Sequence, residues 1–92
     1  MKIVINRCFG GFELSREAYG FMGIDWDGFG YKFSGDEERT NPKLVECVES
    51  LGNAASGQLA ELKVVEIPDG VDFEICDYDG LEHVAECHRI WR

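Results

Sequence analysis

Two hydrophobic periods alternate along this chain, and the places where one gives way to the other mark its elements. Ile3, Val4 and Ile5 form a short continuous run of β-branched residues, the pattern of a buried strand. Leu14 and Ala18, with Phe21 or Met22, return at helical spacing behind Ser15. That predicts a first helix with Ser15 as N-cap and Glu17 near its positive end. Gly20 and Gly23 keep this helix short. Residues 24–31 mix glycine with aromatics and read as a loop leading into a short strand around 29–33, followed by a polar loop over 34–38.

The clearest helix begins at Pro42, with Thr40 or Asn41 as its cap. Leu44, Val45, Val48 and Leu51 recur at i, i+1, i+4 and i+7, a stripe suited to packing on a sheet, and Gly52 ends it. Residues 53–58 are a small-residue connector. Residues 62–67 form a strand that stops at Pro68-Asp69-Gly70. From 71 to 78 the period is two, with Val71, Phe73 and Ile75 on one face and Asp72, Glu74 and Cys76 on the other. The return segment 81–91 fits a helix through Leu81, Val84, Ala85 and His88, or a strand through Glu82, Val84, Glu86 and His88. Asp79-Gly80 decides for a hairpin. The order implies one α+β domain over residues 1–92, a mostly antiparallel sheet with two helices and a C-terminal β-hairpin.

Charge sharpens this picture. The chain carries a net charge of −9, and between Val64 and His88 it has no Lys or Arg. That stretch holds Glu66, Asp69, Asp72, Glu74, Asp77, Asp79, Glu82 and Glu86 before Arg89 and Arg92 restore positive charge. Such a balance argues against broad binding to nucleic-acid backbones, which needs clustered Lys and Arg. The acids suit either a solvated face or a surface that imitates nucleic acid toward a basic protein. A 92-residue chain has a small core, and oligomerisation is a common way to complete its burial.

Cys8, Cys47, Cys76 and Cys87 contain no CxxC pair, so neither a zinc ribbon nor a thioredoxin-type motif is present. With no signal-peptide pattern and no apolar stretch of membrane-spanning length, free thiols in the cytoplasm are expected. Cys47, Cys76 and Cys87 then read as small core residues. A nucleophilic arrangement of Cys8, His83 or His88 and a carboxylate can be drawn, but eighteen acids make such a coincidence easy. His83 and His88 match no metal-ligand spacing, and no metal or other cofactor is expected.

Groups suited to a phosphorylated small molecule concentrate in three places. Asn6, Arg7, Phe9, Gly10, Gly11 and Phe12 join a strand end to a diglycine turn, with an amide, a guanidinium, aromatic rings and backbone N–H donors. Arg39 and Asn41 stand at the start of the second helix, where the dipole favours anions. His88, Arg89, Trp91 and Arg92 follow the acidic stretch. Arginine forks fit phosphate oxygens, and Phe9, Phe12, Tyr31 or Trp91 could stack on a base. Each group also has a structural role open to it: Arg39 and Asn41 as a helix cap, Phe9 and Phe12 as core, Arg89 as a neutraliser of nearby acids.

The segments KIVINRCFGGF followed by LS, RTNPKLVE, LKVVEIPDG and YDGLEHVAECHRIW resemble a family of small phage-encoded proteins associated with anti-defence against the Thoeris system. The resemblance spans nearly the whole chain except residues 20–38. It implies a non-enzymatic protein that binds cyclic ADP-ribose isomers made by bacterial TIR-domain enzymes and sequesters them without cleavage. It also implies that small cyclic oligonucleotides can be held, and that dimers build larger rings with pockets between protomers. Arg39, Asn41, Arg89, Arg92 and the turn from Asn6 to Phe12 would then surround the nucleotide, with Phe9 or another aromatic on the base. Two other functions compete: an acidic inhibitor of a host defence nuclease, of the anti-CRISPR or DNA-mimic type, and a small hydrolase using Cys8.

Overall fold

A computed structural model of the chain describes residues 1–86. The chain folds into the α+β class expected, with its strands arranged as two separate antiparallel pairs. In order these are β1 (Lys2–Asn6), α1 (Arg16–Met22), α2 (Pro42–Leu51), β2 (Leu62–Glu66), β3 (Phe73–Tyr78) and β4 (Leu81–Glu86). β1 pairs with β2, Lys2 facing Glu66 and Asn6 facing Leu62; β3 pairs with β4, Phe73 facing Glu86 and Tyr78 facing Leu81. The expected hairpin over the Asp79-Gly80 turn is present. Both turn residues have positive φ, 51° and 89°, the conformation a two-residue hairpin loop requires.

Both helices begin as their caps predict. The Ser15 hydroxyl accepts the Ala18 N–H at 3.1 Å, and the Asn41 carboxamide oxygen accepts the Lys43 N–H at 2.9 Å with Pro42 in the first turn. Each such cap is worth about 1 kcal/mol. Gly23 ends α1 in the left-handed region, and at Gly52 α2 passes into a short 3-10 turn (Gly52–Ala55). The core joins Val4 and Leu62 from the first sheet with Phe12, Leu14, Ala18, Tyr19, Leu44, Val45, Cys47 and Val48. β1 is buried on both faces, which explains its unbroken apolar run. Burial pushes the Cys47 thiol above its ordinary pKa, as befits a core residue; Cys76 is half-buried on the hairpin.

The strand expected around 29–33 is a loop instead. Asp27 holds it in a tight turn, its Oδ1 accepting the N–H groups of Phe29 and Gly30, each at 2.8 Å. The Leu14 N–H then donates to the Gly30 carbonyl at 2.8 Å. Gly30 sits at φ 85°, and a Cβ there would meet the Leu14 carbonyl oxygen at 2.2 Å. Buried Tyr19 completes the anchor: its hydroxyl donates to Asp27 Oδ2 at 2.8 Å and accepts the Lys32 N–H at 2.9 Å. The alternation of aromatics that suggests a strand therefore lies on a turn built around one carboxylate and one phenol.

This anchor titrates at both ends of the pH scale. Burial pushes the Tyr19 phenol from 10.0 up to about 12, so its contribution to stability is full below pH 10 and is lost as pH rises from there to about 12. The backbone N–H groups of Gly30 and Phe29 hold the Asp27 carboxyl below its ordinary 3.8. Its contribution is present above pH 3.8 and lost as pH falls through the lower folded value. Tyr19→Phe is expected to cost about 1–3 kcal/mol at neutral pH and to flatten the alkaline limb, as measured by urea unfolding at pH 7 and pH 11.

Candidate functional site

The residues singled out at the end of β1 and the start of α2 do converge, on the base of the β3–β4 hairpin. At their centre is Arg39, 2% exposed, whose five N–H groups all have acceptors. Nη1 and Nη2 grip the two Glu82 carboxylate oxygens at 2.7 and 2.8 Å. The remaining N–H groups reach the Ser34 carbonyl, at 3.1 and 2.9 Å, and the Val4 carbonyl at 3.2 Å. The guanidinium carbon lies 4.0 Å over the buried Phe12 ring, a cation–π contact. Glu82 is 5% exposed and also accepts the Asn6 N–H at 2.7 Å.

Asn6, fully buried, bonds on every side. Its Nδ2 donates to the carbonyls of Cys8 and Gly80 at 2.6 and 2.7 Å, and its Oδ1 accepts the Glu61 N–H at 2.9 Å. Arg7 is exposed, yet its Nη1 donates to the Glu82 carbonyl at 2.6 Å. The diglycine has a specific use here. Gly10 donates to the Asp79 carbonyl at 3.0 Å, and Gly80 lies so close that a Cβ on it would meet the Gly11 nitrogen at 2.1 Å. Turn meets turn, backbone against backbone, and the glycines permit it.

Asn6, Phe12 and Arg39 are therefore joined as a frame for the hairpin, and Asn41 caps α2. Phe9, 59% exposed, stands outside that frame. His88, Arg89, Trp91 and Arg92 lie outside the described residues. Glu82 is the member that sequence reasoning missed. It counts as one acid among eight, although on a strand it shares a side with Val84 and so can point inward.

Beside the frame, the opening turn forms one wall of a polar cavity of about 360 Å³, lined by Cys8, Asn53, Ser56, Gly57, Ala60 and Glu61. The connector over 53–58, read as a simple link, supplies most of the opposite wall. Gly57 donates to the Glu13 carbonyl at 2.8 Å, while the Ser56 hydroxyl accepts the Leu62 N–H at 2.9 Å, so the wall is held at both ends. A volume of this size suits a small polar molecule, and the lining offers an amide, a hydroxyl, a thiol and a carboxylate. A second, apolar cavity of about 230 Å³ lies between the end of β2 and the hairpin, lined by Ile67, Pro68, Val71, Phe73, Val84 and Glu86.

Arg39→Ala should cost about 3–5 kcal/mol because it strands a buried carboxylate. Replacing both partners, Arg39→Met with Glu82→Leu, should recover most of that loss. Urea midpoints of the three proteins measure the difference.

Set beside known proteins, the chain matches no family model, no curated protein and no solved structure, so its resemblance to the phage proteins rests on the sequence segments alone.

Proposed function

We propose that this protein acts by binding and withholding a small signal rather than by transforming it. The signal is a cyclic nucleotide of the cyclic ADP-ribose type, with small cyclic oligonucleotides as further candidates. It is held without cleavage by a homo-oligomer in the cytoplasm of an infected bacterium. The observation that carries the reading is that the opening turn, through Cys8, walls a polar cavity of about 360 Å³, and that the next residue in the chain, Phe9, is exposed. Glu61 and Asn53 suit ribose hydroxyls and base edges, and the Phe9 ring offers a face for stacking. Phosphate recognition falls to cations other than the buried Arg39. Arg7 is exposed, its backbone N–H donating to the Glu61 carbonyl of the cavity wall at 2.7 Å and its guanidinium to the Glu82 carbonyl. Arg89 and Arg92 are further cations that the sequence supplies.

A second reading has its own observation. Glu66, Asp69, Asp72, Glu74, Asp77, Asp79 and Glu86 are all exposed, while Glu82 alone of the eight is buried. Such an acidic surface, spread over both sides of the hairpin, suits a basic protein partner, as an inhibitor of a defence nuclease would need.

Native mass spectrometry after incubation with cyclic ADP-ribose isomers, followed by heat release, separates the two. The first reading expects an oligomer carrying ligand that returns intact, and Asn53→Asp with Phe9→Ala should weaken retention at least tenfold. No retention, or hydrolysed product, rejects it. Salt-sensitive binding to a purified basic nuclease, lost on neutralising Glu74 and Asp77, would install the second.

A further inference from the structure

The loop between α1 and α2 is rigid at its base and aromatic at its surface. Phe29 is 65% exposed and Tyr31 58% exposed, yet their rings stack nearly parallel, 14° apart, with centroids at 6.2 Å. Trp26 is also exposed and meets the buried Tyr19 edge-on at 5.0 Å. These rings are held in place from below by the Asp27 turn, the Tyr19 hydroxyl and the Leu14–Gly30 bond. Large apolar side chains fixed in water on a braced turn lower the entropy lost on docking.

Charge decides what would dock. The loop carries exposed Asp25, Asp27, Asp36, Glu37 and Glu38, with Lys32 as its one exposed cation, because Arg39 is buried against Glu82. Aromatic faces within a negative field attract cations and repel phosphates. A delocalised guanidinium stacks on such rings more readily than a hydrated ammonium does.

We infer that the Phe29–Tyr31 pair is a docking surface for an arginine-bearing segment of a partner protein, with the loop carboxylates completing the contact. The two rings line neither the polar cavity nor the hairpin, so the inference stands whether or not a nucleotide is bound.

A Gly-Arg repeat peptide is the probe, and its citrulline counterpart is the neutral control, each titrated into isotopically labelled full-length protein. The expected result is shifts centred on the amides and rings of 29–31, produced by the arginine peptide and not by the citrulline one. Phe29→Leu with Tyr31→Leu keeps an apolar surface and removes the π faces; it should weaken the arginine peptide about fivefold or more. Asp27→Ala, which leaves both rings but frees the turn, should weaken it as well. Neutralising Glu74 and Asp77 on the hairpin should leave the shifts at 29–31 in place. The inference is overturned if the citrulline peptide binds equally, if the leucine variant retains full affinity, or if shifts map only to the hairpin. Concentration-dependent shifts at 29–31 without peptide would make a second copy the occupant and also overturn it.

Discussion

One buried ion pair holds this small protein's two halves together. Arg39 enters from the segment just before α2, and Glu82 enters from β4, forty-three residues later. Removing both charges from water is costly, and attraction repays that cost only where the remaining donors and acceptors are also matched. Here they are: the guanidinium has acceptors for all five N–H groups, and Phe12 covers its face. Any other seating of the hairpin would leave a charge buried alone, so the pair discriminates among seatings. A two-stranded hairpin is marginal in water by itself, so this seating decides where β3 and β4 lie.

The same geometry explains why the site looked different from the sequence. An arginine near a helix start, beside an asparagine and a diglycine turn, has every feature of an anion site. Its anion is supplied internally, by a carboxylate from the acidic stretch. No spacing rule links residue 39 to residue 82, and only the hairpin's register brings them together. The convergence of Asn6, Arg7, Phe12 and Arg39 was legible in residue types. Whether they converge on a ligand or on one another was not.

Local rules otherwise carried well where the backbone decides locally. Ser15 and Asn41 cap their helices, and Asp79-Gly80 makes the hairpin that settles the ambiguity of residues 81–86. They failed at 29–33, where alternation of aromatics resembles a strand. A strand needs a neighbour for its N–H groups, and here Asp27 takes those of Phe29 and Gly30 first. The side chains that a strand would bury are left in water. The polar cavity escaped notice for another reason: its walls, the turn at Cys8 and the connector at 53–58 with Ala60 and Glu61 after it, are distant in sequence and neither is a motif.

The frame and the cavity are not independent, because one amide belongs to both. The Asn6 Oδ1 accepts from Glu61, a wall of the cavity, while its Nδ2 donates to Gly80 at the hairpin tip. Its own backbone N–H reaches Glu82, which grips Arg39. A molecule that draws Glu61 inward must therefore pull on a fully buried amide with all its bonds made, and that amide cannot move without disturbing the hairpin turn. Such a network resists displacement more than a set of separate contacts would. It follows that the cavity is best suited to a ligand that fits it as it stands. Fixed walls lower the entropy lost on binding and so favour affinity for a molecule of matching shape. The ion pair that seats the hairpin and the amide that braces the cavity wall thus belong to one hydrogen-bonded arrangement.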